Sequence, residues 1–142
     1  MPRHSQIVVY VHLVWGTWDR LPLITPQIER EIQRVIGAKC VELDGEIIAI
    51  GGVSDHVHVL VGLPATVTIA NLVGQMKGSS SHTVTHDIYK DGRFFKWQGA
   101  YGAFSVSPDG VPQVCDYIHH QKEHHANAEL IAAWEFPPDD DE

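Results

Sequence analysis

Ser54-Asp55-His56-Val57-His58-Val59-Leu60-Val61-Gly62 places two imidazoles one residue apart inside a run of valine and leucine. Such a run reads as a strand. Strand side chains repeat with period 2, so His56 and His58 leave it on the same face and can hold one ion together. The same spacing also fits a half-buried strand whose histidines are only hydrogen-bonded. The choice between the two depends on what the rest of the chain brings to that face.

Working outward, Glu46 to Val53 reads as a strand, and Gly51-Gly52 with Ser54-Asp55 make the tight reversal that joins it to His56–Leu63 as an antiparallel hairpin. Pro64 stops the second arm. A helix follows in which Ile69, Leu72, Val73, Met76, Ser80 and Val84 share a face, weakened by Gly74 and Gly78. Upstream, the apolar run from Ile7 to Trp15 reads as a central strand. Thr25 and Pro26 open a helix that carries Ile28, Ile32, Val35, Ile36, Cys40 and Leu43 and closes at Asp44-Gly45. Downstream of Asp91-Gly92, the aromatic stretch from Arg93 to Val106 reads as a fourth strand interrupted near Gly99. Ser107-Pro108-Asp109-Gly110 then leads into a last helix with Val111, Val114 and Ile118 on its core side. The order strand, helix, strand, strand, helix, strand, helix matches the split βαβ of ferredoxin-like and RRM-like domains: an α+β fold with a four-stranded antiparallel sheet.

The 142 residues, 44% hydrophobic, are the size of one core-bearing domain, expected over 1–136, with Pro137-Pro138 leading into an acidic disordered tail at 137–142. No stretch approaches the roughly 18 apolar residues of a membrane span, and a soluble cytoplasmic protein is expected. Cys40 and Cys115 lie far apart in helical segments, which points to buried small hydrophobes and away from a disulfide framework. The formal charge of −8 argues against a bulk electrostatic DNA binder. Asp139, Asp140, Asp141 and Glu142 carry four of those charges, so the expected folded part is near −4.

The last helix holds Asp116-Tyr117-Ile118-His119-His120-Gln121-Lys122-Glu123-His124-His125. Tyr117 and Gln121, four apart, are neighbours on one helical face, with His120, His124 and His125 roughly alongside. A solvated surface helix also fits this pattern, and His120 with His124 could bind a metal by themselves.

His56-Val57-His58 on the third strand, followed by Tyr117-x-x-x-Gln121 on the last helix, resembles the single-tyrosine HUH transposases of bacterial insertion sequences. The resemblance extends through Tyr10-Val11-His12-Leu13-Val14-Trp15, Lys77-Gly78-Ser79-Ser80-Ser81 and Trp97-Gln98-Gly99-Ala100-Tyr101-Gly102-Ala103-Phe104-Ser105-Val106. It implies that His56, His58 and Gln121 ligate a divalent ion, Mg2+ or Mn2+, and that Tyr117 on a C-terminal catalytic helix is the nucleophile. It implies cleavage and rejoining of single-stranded DNA with terminal hairpins through a covalent 5′-phosphotyrosine, and a homodimer. The residue types suit that chemistry. A divalent ion neutralises phosphate oxygens for in-line attack. A phosphotyrosine conserves the bond for rejoining, although a phenol ionises near pH 10 and needs help at neutrality.

Trp18, Trp97 and Tyr101 are candidates for stacking on unpaired bases, and Arg20, Lys77, Arg93, Lys96 and Lys122 for phosphate contacts. After His125 the chain departs from the basic, longer helical tail usual in the family and runs into Pro137-Pro138 and acid. That departure keeps two alternatives open: a non-cleaving module for single-stranded nucleic acid, or a decayed transposase. A metal sensor built on the histidine-rich helix is the third reading.

Overall fold

The computed structural model describes residues 5–126, with side chains up to Glu123. The end of the expected domain, the acidic tail at 137–142 and the side chains of His124 and His125 lie outside the described residues. The elements are β1 (Tyr10–Gly16), α1 (Pro26–Glu42), β2 (Glu46–Val53), β3 (His56–Gly62), α2 (Ile69–His82), β4 (Gly102–Val106), α3 (Val111–His119) and α4 (Gln121–Ala126). A π-helical turn, Thr83–Ile88, extends α2.

The four strands form one antiparallel sheet in the order β2-β3-β1-β4, the split βαβ arrangement that the sequence order predicts. The two-residue period divides the inner strands between two cores. Val11, Leu13 and Trp15 of β1 and Val57, Val59 and Val61 of β3 join Ile28, Ile32, Ile36 and Cys40 of α1 and Leu72, Val73 and Met76 of α2. Each such isoleucine or leucine contributes about 1.5–3 kcal/mol on burial. The other face carries a smaller core of Ala49, Leu60, Val114 and Ile118, so α3 packs opposite α1 and α2.

β2 serves both cores because of a bulge at Ile48. Ile47 stands opposite Val61 and Ala49 opposite Leu60, which leaves Ile48 as the extra residue and shifts the phase. Ile47 and Ile50 then pack on the larger core, while Ala49 faces α3.

Two elements differ from the sequence reading. The fourth strand is confined to Gly102–Val106, and Arg93 to Tyr101 makes a single bridge, Trp97 to Thr17. Phe95 and Trp97 are buried in the larger core instead of continuing a ladder. Lys77 donates to the carbonyls of Gln98 and Ala100, tying this segment to α2. The last helix is also not continuous: it breaks at His120, whose φ of −110° and ψ of 25° end α3 before α4 begins at Gln121.

Candidate active site

β3 presents His56 and His58 on the α3 side of the sheet, where both are at most 1% exposed. Their rings lie 5.1 Å apart between centroids. His56 Nδ1 is 2.7 Å from Asp55 Oδ1, and a carboxylate can only accept, so Nδ1 carries the proton and Nε2 the lone pair. This is the arrangement by which a carboxylate orients a metal-ligating imidazole. Arg20 completes the group, with Nε 3.6 Å from Asp55 Oδ2 and Nη2 3.3 Å from His56 Nδ1. The hydrogen bond from His56, then the charge of Arg20, hold the Asp55 carboxyl below the usual carboxylate range.

His58 has a partner that local pattern does not announce. Its Nδ1 lies 2.8 Å from Nε2 of His12, which is buried on β1 one diagonal step away, opposite Leu60. The three imidazoles form one row across two strands.

The turn after β1 brings Arg20 to this row. Asp19 and Arg20 both adopt left-handed φ values, 54° and 53°, a conformation that costs non-glycine residues on the order of 1–3 kcal/mol each. Thr17 clamps the turn to the β2–β3 hairpin: its N–H donates to Asp55 O at 2.9 Å, and its hydroxyl donates to Leu21 O at 2.6 Å.

α3 supplies the other half. Gly51 of β2 stands opposite His58, and a Cβ there would lie 2.1 Å from the carbonyl oxygen of Ile118. The absent side chain lets the α3 backbone settle onto the sheet beside the histidines. Tyr117, 3% exposed, then packs edge-on against His58 with ring centroids 5.8 Å apart. Gln121 is buried just past the helix break, where its Nε2 donates to the Tyr117 carbonyl at 3.2 Å. Lys122 fastens α4, donating to Gly52 O at 3.2 Å and pairing with Glu29. The expected quartet His56, His58, Tyr117 and Gln121 is thus buried around one end of the β2–β3 hairpin.

Residues 5–121 match the model of the family described as "Transposase IS200 like". The chain belongs to that family. The match ends at Gln121, the last of the quartet. Two solved structures share the fold of this IS200-like transposase. A candidate transposase from Deinococcus radiodurans is 21% identical with a TM-score of 0.66, over 85% of this chain and 96% of that one. A REP-associated tyrosine transposase bound to a REP hairpin is 15% identical with a TM-score of 0.66, over 96% of this chain and 81% of that one. Comparison with curated proteins gives no match.

The eight residues expected to meet DNA do not form one surface in this IS200-like transposase. Trp18 is 38% exposed, and the Lys96 ammonium sits 4.1 Å over its ring, so these two share a surface patch. Trp97, expected to stack on bases, is instead 5% exposed: it packs against Trp15 and Phe95, and its indole N–H donates to Ser80 Oγ at 2.9 Å. Tyr101 is half-buried against the larger core. Lys77 and Lys122 hold backbone carbonyls, and Arg93 pairs with Asp91 at 3.1 Å. His120 turns its Nδ1 to the Asp116 carbonyl at 2.8 Å, which raises the imidazole above its ordinary range, with the Asp116 charge adding. The wide groove lined by Arg34, Lys39, Asn71 and His82 runs between α1 and α2, on the opposite side of the sheet from the quartet.

Sequence reasoning did not single out His12, Asp55 or Gln98, which the structure places beside His56, His58 and Arg20. A period-2 reading of β1 would group His12 with Val14 and Gly16, but nothing local says which strand lies beside that face.

Proposed function

We propose that this transposase cleaves and rejoins single-stranded DNA through a covalent 5′-phosphotyrosine on Tyr117. The observation that carries the reading is the edge-on packing of the Tyr117 ring against His58 in the row of buried imidazoles.

The donor set suits a divalent ion. Among the described residues no cluster of three or more His, Cys, Asp or Glu is arranged to hold an ion, and the proposed set has two imidazoles completed by an amide, Gln121. The proton on His56 Nδ1 leaves Nε2 to ligate. Mg2+ or Mn2+ on His56, His58 and Gln121 would neutralise a non-bridging phosphate oxygen; manganese tolerates imidazole better.

In the reaction, Tyr117 Oη attacks phosphorus in line. The P–Oη bond forms as the P–O3′ bond breaks, the phenolic proton passes to solvent, and the departing 3′ oxygen takes a proton from solvent and leaves as a hydroxyl. The segment downstream of the cut stays on the enzyme through its 5′ phosphate until a 3′-hydroxyl reverses the step. Arg20, paired with Asp55, adds positive charge beside the phosphate. Trp18 with Lys96 offers an exposed face for an unpaired base.

One structural neighbour carries a REP hairpin, which supports a hairpin-bearing strand as the substrate here. Among the described residues β4 pairs only with β1, so its outer edge is available for a homodimer formed sheet to sheet.

The test is an adduct assay with labelled single-stranded DNA from the flanks of the gene, with Mn2+ or Mg2+, resolved under denaturing conditions. Wild type should give a metal-dependent covalent band that Tyr117→Phe and His56→Ala lack. Strand binding by wild type with no band in either metal would replace this reading with the non-cleaving module or the decayed transposase.

A further inference from the structure

Gln98 is a buried polar side chain that neither the ion site nor the nucleophile uses. It is 2% exposed, and among the described residues neither Nε2 nor Oε1 has a hydrogen-bond partner. A buried amide left unpaired destabilises a fold, so its presence asks for a ligand. Its backbone is held on both sides: the N–H donates to Gly16 O at 3.0 Å, and Lys77 donates to its carbonyl.

The side chain lies over Gly16. A Cβ built there would stand 2.9 Å from Gln98 Oε1 and 2.9 Å from Arg20 Cδ. Gly16 is opposite His56 in the β1–β3 ladder, and directly opposed residues share a face, so this point lies on the His56 side of the sheet. Without a Cβ on Gly16, the Gln98 amide and the Arg20 chain close onto the strand there, with the Asp55 carbonyl oxygen 3.3 Å from the same point and the buried His56 imidazole opposite. The guanidinium disfavours a second cation there, whereas an amide N–H2 and an arginine together suit an anionic oxygen.

We infer that Gln98 donates from its amide to a non-bridging oxygen of the phosphodiester being cut, next to Arg20. This rests on the single-strand transferase reading above. Gln98 then acts as a substrate-binding residue whose partner arrives with the DNA, and the unliganded protein is less stable for holding it.

Three proteins decide the matter: wild type, Gln98→Met, which keeps the volume and removes the polar atoms, and Gln98→Glu, which keeps the shape and removes the donors. Gln98→Met should melt at or above the wild-type temperature, bind Mn2+ alone with unchanged affinity by calorimetry, and form the Tyr117 adduct about 10²-fold more slowly. Gln98→Glu should be at least as slow. Replacing one non-bridging oxygen of the scissile phosphate with sulfur, tested as each stereoisomer, should slow wild type more than Gln98→Met for one isomer, the non-additivity of a direct contact. Adduct formation by Gln98→Met at the wild-type rate would overturn the inference, as would a melting temperature that falls together with activity. A Gln98→Glu protein that cleaves normally and binds Mn2+ more tightly would make the residue a metal ligand instead. If wild type itself binds the strand without forming an adduct, the transferase reading fails and takes this inference with it.

Discussion

His58 can offer Nε2 to an ion only if its proton sits on Nδ1, and that nitrogen faces His12 Nε2 at 2.8 Å. His12 would then accept, fixing the tautomer of the proposed ligand from the neighbouring strand, as Asp55 does for His56. Replacing His12 with Phe removes the acceptor, and we predict that Mn2+ affinity, measured by calorimetry on the DNA-free protein, falls about 10–100-fold. His12→Gln, whose amide oxygen can accept, should recover most of that loss. Equal affinity in wild type and His12→Phe would show that the contact does not orient His58.

Gly51 governs how an entire element sits. The Ile48 bulge sets the phase of β2 so that Gly51, and no side chain, stands opposite His58 under α3. With a Cβ placed 2.1 Å from Ile118 O, Gly51→Ala forces α3 outward. The expected cost is about 1–3 kcal/mol in urea denaturation, the usual range for an overfilled contact. Adduct formation should fall further than stability alone explains, since Tyr117 moves with the helix. Wild-type stability and rate in Gly51→Ala would mean that α3 is not seated by this contact. The helix break at His120 belongs to the same scale: it separates Tyr117 on α3 from Gln121 on α4, and the Gln121 side chain bridges the break through the Tyr117 carbonyl.

Across the whole molecule, the two cores are unequal. α1 and α2 cover one face with a broad apolar layer, while α3 covers the other through Ala49, Leu60, Val114 and Ile118. The imidazoles lie at most 1% exposed beneath that thinner cover. Cys40 reports on the main core. Burial pushes its thiol from 9.0 up to about 11. The folded state therefore binds a proton that the unfolded state releases between those values, and stability falls as pH rises from about 9 through about 11. At 1.36 kcal/mol per unit the loss is on the order of 2–3 kcal/mol. Thermal midpoints at pH 8 and pH 10.5 should show it in wild type and a flatter dependence in Cys40→Ala, whatever that variant's stability at pH 8. Parallel pH dependences in the two proteins would remove Cys40 as the cause.

Local pattern alone determined a good deal of this protein. The period of 2 placed His56 and His58 on one face, and the order of strands and helices specified the split βαβ sheet; the helical spacing of Tyr117 and Gln121 did not foresee the break at His120 between them. What it left open was every contact between residues far apart in the chain. Aromatic alternation in Arg93 to Val106 looks the same whether a neighbouring strand pairs with it or, as here, Phe95 and Trp97 turn into a core. His12 and His58 are 46 residues apart, and their bond follows from the β1–β3 register. The seating of α3 on Gly51 follows from a bulge, and the approach of Gln98 to Gly16 from a loop crossing the end of β1. Periodicity encodes which side of an element is apolar; only the packed sheet decides which residues of other elements meet that side, because register and close approach are settled by the contacts themselves.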